Sequence, residues 1–470
     1  MRLMTLTLLI CTTACLPETH SKEDEDQRAA TVFSNFIDSR DKIYPAYGNQ
    51  PPKKGQSRID PTTGAKITRL TDAADLEGTD DALIVYSRYS PENTNGQYFL
   101  AFGSNSTSAW VIDRITGQVI HKLQHINSRE IGEAHEIRWD LSEKHPNRIY
   151  YRYGLSLYMI DDVSAGPLQH TLVKDFTGLV PTASTKLYND VEGDSSNDSD
   201  HWAFMAAHYN GTTYVVDALV HYQISTDQTH ILTPADLEGT NMAVWSKNST
   251  FPRRPNMVEV SPLGTGIIVH TQRAYGEYSE LEDTWFDGPH LWPLDFNVKN
   301  QAPIKVSISD THSGWAFDDN GKELFISQNN RTDQLDAVYL KGAEAGYDNR
   351  IEIAAHDDFG WSNGFHYGKM PEHKPGWIFI NTYSSKSSQE QEWAANQFIM
   401  MELKDEVLSP KIWRISPNYN LYPPKSYRDE APAAINYLGN RIYVSANWGG
   451  ELPNREVFLF ELPDDWQSKL

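Results

Sequence analysis

The chain has 470 residues, 39% of them hydrophobic and 11% aromatic, and a formal net charge of −22 at pH 7. A nucleic-acid partner needs a basic face, so this balance argues against one. A polyanionic partner would have to meet a local basic cleft in an otherwise acidic surface.

Arg2 followed by the apolar run Leu6-Thr7-Leu8-Leu9-Ile10 has the layout of an export signal. Thr12-Thr13-Ala14-Cys15 resembles a lipoprotein cleavage box, which makes Cys15 the expected lipidation site, with a plain secretory signal as the alternative. The only two cysteines, Cys11 and Cys15, fall in this segment, so the mature body holds neither a disulfide nor a thiolate site. Residues 1–15 are thus read as the signal and 16–40, with Glu23-Asp24-Glu25-Asp26, as an acidic tether. Residues 41–470 are read as one β-propeller. The chain is expected to be exported, either anchored to the outer membrane through the lipid, at the cell surface or in the periplasm, or secreted. No later stretch is long and apolar enough to span a bilayer.

After an irregular start, Lys66-Ile67-Thr68-Arg69-Leu70-Thr71 reads as an edge strand suited to closing a ring against the last blade. Blade one follows as Arg88-Tyr89-Ser90-Pro91, a turn at Asn95-Gly96, then Gln97–Phe102 and Ala109–Asp113. The same phrase of strand, turn, apolar strand and third strand recurs near His135, Asp194, Asn256, His312, His366 and Glu430. Spacings of about 45–65 residues are slightly long for propeller blades, whose repeats of four short strands stack radially. The expected fold is therefore all-β: a seven-bladed β-propeller of four-stranded antiparallel blades. An aromatic, acidic insertion from Tyr275 to Leu294 reads as a wall or lid, and no long amphipathic helix is evident.

In this topology each first strand starts at one mouth of the channel, turns at the far face and returns along the second strand. His145 and Asp200 fall in far-side turns. The mouth collects Arg88, His135, Tyr188, Asn189, His208, Asn256, Arg273, Tyr275, His312, Arg331, His366 and Tyr383, among others, with few carboxylates. β-Elimination beside a uronic acid needs a group to neutralise the carboxylate, a base for the C5 proton and an acid for the leaving oxygen. Arg, Asn or His can do the first, His or Tyr the second, Tyr the third. A glycosidase would need a carboxylate pair, for which Glu133, Asp190, Glu192 and Asp194 are the candidates.

On these residues the chain resembles the seven-bladed polysaccharide lyases over roughly residues 60–465, above all the ulvan lyases and more distantly the oligogalacturonate lyases. Tyr188 or Asn189 with His208 matches their catalytic pair, Arg273 the arginine facing the uronate carboxylate, and Arg331 an arginine at the rim. The second His of the pair and a Tyr near Asn256 are missing, and Tyr275 or Tyr188 would supply the phenol. His312-Ser313-Gly314-Trp315 with Asp319-Asn320-Gly321 is similar to a metal-bearing blade of oligogalacturonate lyases, loosely followed by His366 and His373. The expectation is a lyase acting on a uronic-acid-containing, sulfated polysaccharide. His208, Tyr188, Arg273 and Tyr275 would be catalytic; Asn189, Arg331, His135, Asn256, His312 and His366 would bind substrate. No cofactor is required, a structural Ca²⁺ or other divalent ion stays open, and the expected state is a monomer. The alternative is a non-catalytic surface propeller that binds glycan or protein.

Overall fold

The computed structural model describes residues 36–42, 50–104, 107–124, 134–189, 192–238, 255–271, 288–308, 312–384, 392–404, 410–420, 430 and 432–470. Seven antiparallel sheets form a seven-bladed propeller. Blade three shows the pattern: Lys186–Tyr188, His201–Tyr209, Tyr214–Gln223 and Gln228–Leu232 pair in chain order.

Each blade buries both faces against its neighbours, which is why strands such as Trp377–Ser384 read as apolar runs. In blade three, Trp202, Phe204 and Ala206 pack with Tyr150 and Leu157 of blade two. Their alternates Ala203, Met205 and Ala207 pack with Val258 and Val260 of blade four. Each large side chain so buried contributes about 1.5–3 kcal/mol.

Lys66–Arg69 closes the ring as expected, pairing antiparallel with Glu456–Glu461 of blade seven. A fifth strand, Ser57–Ile59, extends that sheet. In blade one, the segment expected to be the first strand joins only through isolated bridges, Leu83 to Phe102 and Glu92 to Phe99. Pro91 within it has no N–H to give to a ladder. The blade four insertion ends sooner than expected, because His290–Trp292 is that blade's third strand. Residues 272–287 lie outside the described residues.

Candidate functional site

Charged side chains meet across the channel axis. Arg88, from the inner segment of blade one, reaches across to blades four and five. It donates to Ser313 Oγ at 2.9 Å and pairs with Glu259, and a Glu192 carboxylate oxygen lies 3.7 Å away. Trp315 Nε1 donates to the other Glu259 oxygen at 3.0 Å. Burial opposes ionisation of Glu259, but Arg88, His270 and Trp315 together hold its carboxyl below the usual range. Farther along, the Arg138 guanidinium lies 3.6 Å from the Tyr89 ring centre and Lys369 pairs with Asp194 at 3.0 Å. A cavity of about 380 Å³ is lined by Leu141, Asp194, Lys369, Ile435 and Tyr437 among others. Glu192 and Asp194, two of the carboxylates a glycosidase would call on, are thus each engaged with a cation. Glu133 and Asp190 lie outside the described residues.

On the mouth side of Arg88, four rings gather from three blades. His366, in the first strand of blade six, has its ring centre 4.5 Å from His312, 4.9 Å from Tyr383 and 5.3 Å from Tyr86. Tyr383 can lie across this strand because residue 364 is glycine: a Cβ there would stand 2.3 Å from the Tyr383 ring. Burial, reinforced by His312, holds His366 well below the usual histidine range, so its imidazole is neutral. Glu430, at the entry to blade seven, places a carboxylate oxygen 3.7 Å from His366 Nε2, and burial pushes its carboxyl up to about 7.

Neither ring nitrogen of the buried His366 has a hydrogen-bond partner among the described residues. Imidazoles and a carboxylate are donors that divalent ions accept. Among the described residues, however, no three His, Cys, Asp or Glu side chains converge closely enough to hold one. These residues as placed do not fit a metal centre.

The second grouping sits on blade three. The register slips between Ala206 and Ala207, so Asp217 is an extra residue in the facing strand. Such a bulge re-aims its side chain. His208 Nδ1 donates to Asp217 at 2.9 and 3.0 Å, and Ser184 Oγ holds the same carboxylate at 2.8 Å. A carboxylate on Nδ1 fixes the tautomer and presents Nε2 as the basic nitrogen. The His208 side chain keeps 29% of its surface exposed.

The other expected residues are placed as follows. Tyr188 is buried in register with Met205 and faces blade four, whereas His208 follows Phe204 and Ala206 and faces blade two. The two are on opposite faces of one sheet and are not brought together. Asn189 is buried, its backbone N–H on Glu136 and its amide on Gly193 O. His135 lies in a short helical turn, edge-on to Phe102. Asn256 is in the first strand of blade four, and Arg331 is exposed in the hairpin after Glu323–Asn329. Arg273, Tyr275 and Cys15 lie outside the described residues. Asp217, Tyr86 and Glu430 were not expected at the site.

No protein-family model matches the chain, and no curated protein matches it in sequence. Among solved structures it is similar to an oligogalacturonate lyase of Vibrio parahaemolyticus, at 10% identity and TM-score 0.55 over 87% of this chain and 97% of that one. An oligogalacturonate lyase in complex with manganese matches at 12% identity and TM-score 0.51, over 87% and 96%. At such identity the likeness is one of fold, and at that level the expected resemblance to oligogalacturonate lyases is met.

Proposed function

We propose that the chain is a polysaccharide lyase that cleaves a uronic-acid-containing, sulfated polysaccharide of the ulvan type by β-elimination. The observation that supports this best is the His208–Asp217 pair, an oriented and partly exposed base. His208 Nε2 takes the C5 proton, the electrons form the C4–C5 double bond, the C4–O bond breaks, and a phenol protonates the leaving oxygen. Arg273 is assigned to the uronate carboxylate and Tyr275 to the proton transfer, with His312 and His366 at the centre of the mouth binding neighbouring groups of the chain. The proposal includes export, with Cys15 as lipid anchor or with release into the medium.

The alternative, a non-catalytic glycan-binding propeller, draws on the burial of Tyr188 and His366. Digestion in ¹⁸O-labelled water separates the readings. Elimination yields fragments without the label and with an unsaturated end; labelled fragments would mean hydrolysis, and intact polymer would favour the binding module.

A further inference from the structure

The longest hairpin among the described residues, His201–Tyr209 with Tyr214–Gln223, ends in two tyrosines that its core does not use. Tyr209 is 55% exposed and its cross-strand partner Tyr214 36%, their ring centres 5.4 Å apart. The tip is well fixed: Asn210 Oδ1 accepts from the backbone N–H groups of Thr212 and Thr213. Lys186 Nζ lies 3.7 Å from the centre of the Tyr214 ring and 4.7 Å from that of Tyr188, so this cation is held among aromatic faces.

Among the described residues only one other large aromatic is exposed, Trp361 at 57%. It precedes the first strand of blade six, Asn363–Tyr367, and so belongs to the mouth end, three blades round the ring from blade three. The other exposed large hydrophobics are aliphatic. Trp361 has its ring centre 5.0 Å from that of His356 yet stays largely in water, whereas Trp110, Trp139, Trp315 and Trp413 are buried.

We propose that Tyr209 and Tyr214 form a stacking station for a pyranose ring of an acidic polysaccharide, with Lys186 facing its carboxylate or sulfate, and that Trp361 is a second station across the mouth. Rigid aromatic faces give large contact area with little entropy to lose. The lysine beside them selects an anionic sugar, which a chain of formal net charge −22 would otherwise repel. The inference rests on the glycan reading above but not on elimination, since stacking needs no turnover.

The test is affinity electrophoresis of the mature protein in gels containing ulvan, pectate or neutral xyloglucan. Expected are retardation by at least one acidic polymer, about tenfold weaker binding for Tyr209→Ala/Tyr214→Ala, a smaller loss for Trp361→Ala, and for Lys186→Met a loss confined to acidic polymers. Undiminished retardation of the double variant, or retardation by xyloglucan alone, or none at all, would overturn the proposal. Circular dichroism of each variant guards against misfolding. Retardation that depends on the tyrosines, in a protein that makes no unsaturated product, would sink the lyase reading and leave this one standing.

Discussion

Asp217 accepts the Nδ1–H hydrogen bond of His208 at 2.9 Å from a position that exists only because the third strand of blade three carries one extra residue. The pairing makes His208 a base with a fixed tautomer. Asp217→Asn and His208→Ala should each lower kcat by about 10²–10⁴-fold on the cleaved polymer, while circular dichroism and thermal midpoint stay near wild type. Turnover near wild type in both variants would remove His208 from the mechanism.

The phenol of Tyr383 is held against His366 by the missing side chain at residue 364. Gly364→Ala should displace that ring and cost about 1–3 kcal/mol through overpacking, read as a lower urea midpoint. It should also raise KM, with kcat changed less, if the centre of the mouth binds substrate. A variant matching wild type in both would show that the ring is not fixed there.

Arg88 and Glu259 are buried together at the middle of the channel. Arg88→Met strands a carboxylate and should destabilise the protein by about 3–5 kcal/mol. Arg88→Met/Glu259→Gln should recover part of that loss. Additive losses in the double variant would mean that the pair acts through packing rather than charge.

Glu430 carries a pH signature. Its carboxyl rises from 4.5 to about 7 in the folded protein. Between these values the folded state keeps a proton that the unfolded chain has released, so this group's contribution to stability falls as pH rises through the window. Burial of neutral His366 has the opposite sign and costs stability as pH falls below the ordinary histidine value. Comparing Glu430→Gln with wild type isolates the first effect. The urea midpoint of the variant should gain on wild type between pH 5 and pH 8, and parallel curves would contradict the assignment.

Blade number and ring closure could be read from the chain because Asn-Gly and Asp-rich turns punctuate apolar runs at regular intervals, and because Lys66–Arg69 is a lone strand pattern before the first blade. Which residues meet at the site was harder. Tyr188 and His208 both fall near one strand end, yet strand periodicity puts them on opposite faces, and that depends on a register seen only once the strands pair. Asp217 reaches His208 through a bulge that no local pattern announces. Arg88 and Glu259 are 171 positions apart and meet only because the ring brings blades one and four to a common axis. Tyr86 lies outside any regular strand, where strand patterns place nothing, and Glu430 read only as the opening of blade seven.

The central claim is elimination, and the most direct measurement is the ultraviolet absorbance of unsaturated uronate while the mature protein is incubated with ulvan, pectate and other uronic-acid polysaccharides. The account predicts a steady rise on a sulfated uronate polymer that disappears in His208→Ala. A flat trace on every polymer, with or without new reducing ends, would contradict it.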